Sequence, residues 1–352
     1  MLLNNLLLLN EANLSYNILV TIHYRKDAEL PWRRVKRGNG FGFIDEKGKP
    51  VSKAAADRLS ELAIPPAWTE VVISSDPDDY ILAIGVDAAG RKQYLYHPEW
   101  IKRNQEKKFD QMVTFGERLP ALREVVSGHM REHSLTQNRV IATVVWLLEH
   151  TFIRVGNQTY AEENQSYGLT TMRKKHIEVE GNTMTFSFEG KSGVFHELGV
   201  NHPRVAKTIR ACIDLPGYQV FQYLDENNNR QVVDPAEVNN YLQTHTGADF
   251  SAKDFRTWGG SVLAGDCLYK KGKAPSETDL KSNISEVVAE VSSQLGNTKR
   301  VCRTYYIHPV IIKSYEKNTL VPHFEQSYRQ KSAKEPTLTP EEYATWSLIK
   351  NA

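Results

Sequence analysis

The sequence predicts an α+β fold, in which a small antiparallel β-sheet domain precedes a mainly α-helical domain that contains a small three-stranded sheet. Strand and turn patterns dominate from about residue 24 to residue 100, and helical apolar periodicity dominates from about residue 109 onward. Period-two runs return between residues 175 and 198. Because 352 residues exceed the usual size of one domain, we expect two.

The N-terminal domain is expected over residues 25–104. Residues 52–64 place alanine and leucine at helical spacing and are followed by Pro65 and Pro66, which predicts one amphipathic helix. Two apolar runs, WTEVVIS and YILAIGVD, flank the polar turn SDPDD and indicate a β-hairpin. The charged connector IKRNQEKKFD comes next, and we place the domain boundary within it.

The mainly helical domain is expected over residues 105–330. Its first helical stretch is predicted to break near Pro120. A long amphipathic helix over residues 135–156 places Arg154 at its C-terminal end, where the helix dipole favours a cation. Residues 331–352 are polar and contain two prolines, so we expect a loosely attached tail there.

Two further segments of this domain carry basic residues in unusual positions. The runs IEVE, TMTFSF and VFHEL predict a three-stranded antiparallel sheet, and they place Lys191 on an exposed turn from which a lysine can reach a substrate oxygen. A later helix begins near a Ser251 cap and carries Arg256 in its first turn. Since the N-terminal end of a helix disfavours a cation, we expect an anionic group beside Arg256.

Two adjacent tyrosines, Tyr305 and Tyr306, lie in the stretch QLGNTKRVCRTYYIHP, residues 294–309. A phenol with a pKa of about 10 is a poor nucleophile at neutral pH. Nearby cations ease the loss of its proton and offset the repulsion that an oxyanion meets when it attacks a phosphodiester. The cations that precede the tyrosines in the sequence are Lys299, Arg300 and Arg303.

Together these segments supply the residue types that phosphodiester transesterification needs without a metal. Two guanidinium groups, from Arg154 and Arg256, can bind nonbridging oxygens and stabilise a pentacoordinate transition state. A lysine such as Lys191 can protonate the departing alkoxide. Spacing along the chain leaves open whether these side chains meet in space.

The segment GRKQYLYHP, residues 90–98, combines basic, amide and phenol side chains on a predicted strand. Glutamine can hydrogen bond to adenine through two atoms, and tyrosine can contact phosphate or stack on bases. A polar edge strand without a ligand is the alternative interpretation. The candidates for DNA binding in this segment are Arg91, Lys92, Gln93, Tyr94 and Tyr96.

The overall charge does not decide the partner, because a net charge of +2 and a pI near 8.2 neither require nor exclude nucleic acid. Local basic excess occurs in WRRVKRG, IKRNQEKK and MRKKH, each of which is equally typical of a solvated surface. The three cysteines form no CxxC pair, which is typical of a reducing compartment.

The first 24 residues are apolar but are interrupted by asparagine and glutamate, and they lack a positively charged start. We therefore expect a poorly ordered leader over residues 1–24 rather than a signal peptide. No later apolar run has the length needed to span a bilayer, so we expect no membrane partner.

The motifs GRKQYLYHP, FIRVGN, YGLTT, GKSG, KDFRTW and LGNT…YYIHP, taken in order, resemble the poxvirus-type type IB DNA topoisomerases, in particular their bacterial branch. The resemblance runs from about residue 25 to residue 325 with comparable spacing. It implies a catalytic domain of the tyrosine recombinase and type IB topoisomerase fold. The catalytic set that it implies is Arg154, Lys191, Arg256 and Tyr306. Tyr305 is the alternative nucleophile.

One position departs from the family pattern. The poxvirus enzymes have a histidine that contacts a nonbridging phosphate oxygen, whereas this chain has Asn297. An amide N–H can still donate that hydrogen bond, although it carries no charge. Bacterial members tend to have asparagine there, and we include Asn297 in the catalytic set.

The resemblance also implies the reaction and its partner. A monomer would clamp double-stranded DNA, cut one strand through a 3′-phosphotyrosyl link, allow rotation, and reseal the strand. The bond energy would stay in the phosphotyrosine, so no ATP, metal or other cofactor is expected. Gln93, Tyr94 and Tyr96 match the segment that contacts the major groove, and Tyr160 is a further contact candidate. We expect the enzyme in the cytoplasm, associated with the nucleoid.

Three other interpretations compete with this one. A tyrosine recombinase usually carries HxxR where this chain has Lys253 to Arg256 as KDFR, and it lacks the GRKQYLYHP segment. An architectural DNA-binding protein with the same fold would have lost the chemistry, against which the four catalytic residue types argue. A metal-dependent nuclease would need a cluster of carboxylates or histidines, and the sequence shows no compact one.

Overall fold

The computed structural model describes residues 21–23, 30–331 and 338–352. The chain forms two compact units, Met1–Lys108 and Phe109–Ala352. The predicted leader lies outside the described residues except for 21–23, which pair with the loop before a strand through the backbone of His23 and Asp79. The boundary that we placed at residue 104 lies a few residues before the division between the units.

The N-terminal unit is built on one antiparallel sheet. Its elements are β1 (Trp32–Arg37), β2 (Gly40–Ile44), α1 (Lys53–Glu61), β3 (Thr69–Ile73), β4 (Ile81–Val86) and β5 (Lys92–Tyr96). Among the described residues the strand order is β2-β1-β3-β4-β5, and every neighbouring pair is antiparallel. The predicted small antiparallel sheet and the predicted β3–β4 hairpin are both confirmed.

Helix α1 covers one face of this sheet. It begins where the Ser52 hydroxyl accepts a hydrogen bond from the Ala55 N–H, and it buries Leu59 against Ile73 and Ala83. The predicted helix over residues 52–64 is therefore present. It ends earlier than predicted, because Ala63 has a φ of +49° that a helix does not accommodate.

The second unit is mainly helical. Its first helix, α2 (Pro98–His129), contains the division between the two units. The elements that follow are α3 (Gln137–Thr151), α4 (Gln158–Asn164), β6 (Ile177–Glu180), β7 (Thr183–Glu189), β8 (Phe195–Asn201), α5 (Pro203–Asp214), β9 (Gln222–Leu224), β10 (Arg230–Val232), α6 (Pro235–Thr246), α7 (Ala252–Lys271), α8 (Glu277–Gln294), α9 (Lys299–Tyr305), α10 (Pro309–Glu316), α11 (Leu320–Lys331) and α12 (Pro340–Lys350). Strands β6, β7 and β8 form the predicted three-stranded antiparallel sheet. None of the helices in the described ranges is both long and apolar enough to cross a bilayer.

The prediction that the first helical stretch breaks near Pro120 is wrong. Helix α2 runs through Pro120 without interruption. A proline inside a helix removes one hydrogen-bond donor and destabilises it. The residues on either side, Leu119 and Leu122, are almost fully buried in the core together with Phe115. We attribute the continuity of α2 to this packing, which the local sequence does not reveal.

Helix α3 is the centre of the larger core and confirms the predicted apolar stripe, since Val140, Val144, Leu147 and Leu148 are all buried. The predicted C-terminal limit at residue 156 is wrong. The helix ends at Thr151 because Phe152 adopts a left-handed conformation with a φ of +55°.

The C-terminal residues are not a loose tail. Helix α12 begins with a capping box between Thr339 and Glu342, and it buries Ala344, Leu348 and Ile349, which recur at helical spacing. The polar composition of residues 331–352 led us to overlook this apolar stripe in the sequence. The predicted tail is therefore wrong for residues 338–352, and residues 332–337 lie outside the described ranges.

Arg123 of α2 ties α12 to the rest of the unit. Its guanidinium donates to both carboxylate oxygens of Glu342, at 3.0 and 2.6 Å, and to Glu149 at 2.7 Å. Burial alone would raise the pKa of Glu342, but the hydrogen bonds and charge of Arg123 outweigh it and lower that pKa. Because folding lowers the pKa of Glu342, its ionised carboxylate stabilises the folded state at neutral pH. This contribution is lost as the pH falls through the folded-state pKa of Glu342.

Glu342→Gln is expected to lower the free energy of unfolding by about 3 kcal/mol, because it leaves the half-buried Arg123 charge without one of its two carboxylates. The change is measured by urea unfolding with tryptophan fluorescence. Glu117→Gln is the matched control: it removes a half-exposed ion pair, 2.9 Å from Lys350, between the same two helices. Its effect is expected below about 1 kcal/mol. Equal losses in both variants would contradict a special role for Arg123.

Candidate active site

Four of the five predicted catalytic side chains, all except Asn297, line one cavity of about 400 Å³ in the second unit. The residues are Arg154, Lys191, Arg256 and Tyr306, joined by Tyr160, Tyr167 and Lys253 among others. No carboxylate or histidine belongs to this lining, within the described part of the chain. The cavity therefore concentrates positive charge and favours an anion.

Arg256 lies on α7, five residues after the Ser251 cap, and its side chain is 3% exposed. The anionic partner that we expected beside Arg256 stays a prediction. Its guanidinium donates to the backbone oxygen of Phe152 and, at 2.6 Å, to that of Leu295. These residues cap the C-terminal ends of α3 and α8, so Arg256 lies between the negative ends of two helix dipoles.

Tyr306 is held against the same helix. The Ser261 hydroxyl hydrogen bonds to the Tyr306 backbone oxygen at 3.4 Å and accepts from the His308 N–H at 2.9 Å. A Cβ on Gly260 would lie 2.7 Å from the Tyr306 backbone oxygen, so only glycine permits this approach. The Arg256 guanidinium carbon then lies 5.1 Å from the centroid of the Tyr306 ring.

Arg154 lies three residues beyond the end of α3, in a segment without regular secondary structure, and not on the helix as predicted. Its backbone oxygen accepts from the Leu169 N–H at 2.9 Å. The preceding Phe152 ring packs on Gly259 of α7, where a Cβ would lie only 2.0 Å from that ring. Helix α7 thus positions both arginines. Burial and the charge of Arg256 lower the pKa of Arg154 to about 10, so the guanidinium stays protonated at neutral pH.

Asn297 completes a contact with Arg154 through its side-chain oxygen. The Arg154 Nη2 donates to Asn297 Oδ1 at 2.6 Å and to the Gly296 backbone oxygen at 3.3 Å. Since a guanidinium only donates, the amide oxygen must face Arg154 and the amide nitrogen must face away. That nitrogen is buried and has no hydrogen-bond partner among the described residues. The amide therefore presents a donor to whatever binds here.

Lys191 lies on the turn between β7 and β8, as predicted. It is exposed, and it begins a tight turn in which Ser192 and Gly193 have φ values of +65° and +70°. The turn is closed by the Gly190 N–H donating to the Val194 backbone oxygen at 2.8 Å. A lysine on such a turn keeps its side-chain freedom while its backbone is fixed.

The two adjacent tyrosines differ in position. Tyr306 is half-buried and lines the cavity, whereas Tyr305 is 36% exposed and does not. The basic residues that precede them in the sequence do not line the cavity either. They line a separate groove between α8 and α9, and they are Lys299, Arg300 and Arg303. The cations that face Tyr306 come instead from distant segments of the chain.

The sequence analysis missed His196, which packs between two loops of the site. Its ring stacks on Phe188 with centroids 5.2 Å apart, and a Cβ on Gly296 would lie 2.3 Å from its Cε1 atom. Burial and the charges of Arg154 and Arg256 lower the pKa of His196, so the ring is neutral at neutral pH. A histidine inside the VFHEL strand pattern is the one signal that the sequence offered.

The DNA-binding candidates of the N-terminal unit lie on the edge strand β5. Lys92, Tyr94 and Tyr96 share its exposed face, and the two tyrosine rings stack with centroids 5.9 Å apart. Gln93 lies on the opposite face, where its amide donates to Asp87 at 2.9 Å. Arg91 also pairs with Asp87, at 2.7 Å. The strand thus separates Gln93 from the tyrosines with which the sequence grouped it.

One group of three possible metal ligands occurs among the described residues, in the N-terminal unit. It consists of Asp76 and Asp79, which are three residues apart, and of His23, which is distant from them in the sequence. The His23 Nδ1 hydrogen bonds to Asp76 at 2.7 Å, and Asp79 accepts from the Ser74 hydroxyl. These contacts give the group a structural role, and none of its residues lines the cavity.

Comparison with known proteins places this site in a family. The family model of the catalytic core of eukaryotic DNA topoisomerase I matches residues 97–332, and that of the N-terminal domain of bacterial DNA topoisomerase IB matches residues 40–87. The chain therefore belongs to the type IB DNA topoisomerase family, whose members are isomerases. This confirms the resemblance found in the sequence.

Relatives come from viruses and eukaryotes. DNA topoisomerase 1B of Acanthamoeba polyphaga mimivirus is 30% identical over 293 residues, which cover 81% of this chain and 87% of the relative. DNA topoisomerase I of Monkeypox virus is 24% identical, covering 75% and 83%. DNA topoisomerase 1 of Mycosarcoma maydis is 25% identical and covers 56% of this chain but 22% of that longer protein.

Proposed function

We propose that this enzyme relaxes supercoiled DNA through a covalent intermediate on Tyr306. The Tyr306 oxygen attacks the scissile phosphorus, the bond from phosphorus to the 5′ oxygen breaks, and a 3′-phosphotyrosine and a 5′-hydroxyl form. The other strand permits rotation of the free end. The 5′-hydroxyl then attacks the phosphotyrosine, which restores the phosphodiester and releases Tyr306. Each step exchanges one phosphate ester for another, so the energy of the broken ester bond is kept in the bond that replaces it.

The observation that carries this proposal is the set of unpaired donors around Tyr306. Arg256 Nε and Asn297 Nδ2 are buried without a hydrogen-bond partner in the described residues. Buried polar groups are nearly always paired, and a ligand is one accepted explanation for exceptions. Nonbridging phosphate oxygens would pair both atoms, and the arginine charges would stabilise the extra negative charge of the transition state.

Protons move at two positions in this proposal. Lys191, on its exposed turn, protonates the departing 5′ oxygen, which would otherwise leave as a poorly stable alkoxide. The Tyr306 proton passes to water, since no lining side chain among the described residues is a carboxylate or histidine.

Double-stranded DNA is the substrate in this proposal, and a single chain binds it. The exposed face of β5, with Lys92, Tyr94 and Tyr96, offers charge and aromatic rings to phosphates and bases. Tyr160 is 41% exposed at the cavity and suits a contact near the cut. We propose a cytoplasmic location at the nucleoid, where such a substrate occurs.

Covalent trapping tests the proposal directly. The protein is incubated in EDTA and without ATP with a duplex that ends a few nucleotides beyond a cleavage site mapped on plasmid DNA. The short cleaved strand then dissociates and leaves the intermediate trapped. We expect a protein–DNA adduct whose tryptic peptide carries the nucleotide on Tyr306. A DNA-bound protein without an adduct would instead favour an architectural protein.

Asn297→Ala is expected to slow single-turnover cleavage about 10²-fold, the typical effect of losing one preorganised donor. Asn297→Asp separates two explanations, because aspartate keeps the acceptor for Arg154 but loses the donor. If the donor matters, Asn297→Asp is as slow as Asn297→Ala or slower, with DNA binding measured alongside. Recovery of the rate in Asn297→Asp would show that Asn297 acts only by holding Arg154.

A further inference from the structure

Tyr167 is a tyrosine of the YGLTT segment whose position is fixed from both sides of the site. Its backbone N–H donates to the backbone oxygen of Glu189 at 2.8 Å. Glu189 is the last residue of β7 and lies just before the Lys191 turn. The next residue, Gly168, approaches the Arg154 segment so closely that a Cβ would lie 2.5 Å from the Arg154 backbone oxygen. The Tyr167 backbone thus joins the lysine turn to the arginine segment.

The ring of Tyr167 is also held in place. It is 7% exposed, and it packs against the His176 ring with centroids 4.4 Å apart. The Arg173 guanidinium carbon lies 5.3 Å from its centroid, between Tyr167 and the exposed Tyr218. A ring packed in this way presents its hydroxyl at a fixed place.

The hydroxyl of Tyr167 is buried and has no hydrogen-bond partner in the part of the chain that the structure describes. The residue lines the same cavity as Arg154, Lys191 and Tyr306. A buried hydroxyl without a partner costs free energy, so it is expected to serve a bound group. It joins Arg256 Nε and Asn297 Nδ2 as a third unpaired donor at this site.

We infer that Tyr167 is a further substrate-contacting residue, whose hydroxyl donates a hydrogen bond to a nonbridging oxygen of the scissile phosphodiester. The inference rests on the proposed function of the cavity. A neutral phenol adds a donor without adding another cation to those that already line the cavity.

Tyr167→Phe tests this inference, because it removes the hydroxyl and keeps the packed ring. We expect single-turnover cleavage of the trapping duplex to fall about 10- to 100-fold, as for one lost hydrogen bond to a charged group. The DNA dissociation constant should stay within about threefold and the melting temperature should not fall, since the removed group has no protein partner. Tyr218→Phe, on the other side of Arg173, should cleave at the wild-type rate.

Sulfur substitution identifies the contacted atom. Each nonbridging oxygen of the scissile phosphate is replaced in turn by sulfur, a weak acceptor, and both enzymes are compared. For one diastereomer the slowing should be smaller in Tyr167→Phe than in the wild type, because the two changes remove the same hydrogen bond.

Two results would overturn the inference. One is a wild-type cleavage rate in Tyr167→Phe. The other is a slower rate together with a lower melting temperature and equal sulfur effects in both enzymes, which would mean that the hydroxyl bonds a structural water. A wild-type protein that forms no adduct would instead contradict the proposed function, and the inference with it.

Discussion

Tyr306→Phe is expected to abolish relaxation of supercoiled plasmid in EDTA, with a loss of roughly 10⁴-fold or more, because it removes the oxygen that forms the covalent link. The folded structure should survive. The phenylalanine ring keeps the contact with Arg256, and the backbone of residue 306 keeps its bonds to α7. Relaxation is measured by gel electrophoresis, together with DNA binding and the melting temperature.

Tyr305→Phe is the matched control, since it removes a phenol from the adjacent position. Tyr305 is exposed and does not line the cavity, so the variant should relax DNA at nearly the wild-type rate. If Tyr306→Phe still relaxes DNA and Tyr305→Phe does not, the nucleophile is Tyr305. If neither variant is impaired, the activity does not belong to either tyrosine.

The sequence predicted the residue types of the site but not the contacts between them. A tyrosine preceded by basic residues suggested local activation by Lys299 and Arg303, yet these side chains line another groove. The arginines that do surround Tyr306 are brought there by α7, through glycines that permit close backbone approach. Such approaches depend on tertiary packing, which motif spacing alone does not contain.

The helices show the same contrast: their apolar faces follow from the local sequence, whereas their ends depend on tertiary packing. The stripe of α3 could be predicted because its apolar spacing is strong. Its end at Thr151 depends on Phe152, whose left-handed conformation is stabilised by packing on Gly259. The continuity of α2 through Pro120 and the docking of α12 through Glu342 likewise depend on partners far along the chain.

Tyr167 and His196 were missed for a different reason. Both belong to segments that the sequence analysis recognised, YGLTT and VFHEL, but neither residue type stands out in a strand or turn. Their importance appears only when burial, an unpaired hydroxyl or a contact with two loops is known. A sequence pattern predicts on which face of a strand or helix a residue lies, but it does not predict which residues or ligands contact that face.

Arg256→Lys is expected to slow single-turnover cleavage about 10²- to 10³-fold while DNA binding stays close to wild type. The guanidinium spans two helix C-termini and still offers Nε to the phosphate. A lysine ammonium cannot satisfy this planar arrangement. Because the oxygens of Phe152 and Leu295 lose donors, the free energy of unfolding should also fall by about 2 kcal/mol.

Loss of stability alone must not be mistaken for loss of catalysis, and Arg123→Lys provides that comparison. Arg123, which is half-buried, also has several acceptors, but these are Glu149 and Glu342, outside the cavity. Its lysine variant should be destabilised and yet cleave at the wild-type rate at 25 °C. If both variants lose stability and only Arg256→Lys loses rate, the effect arises at the phosphate. Equal losses of rate would mean that Arg256 acts through the packing of α3, α7 and α8.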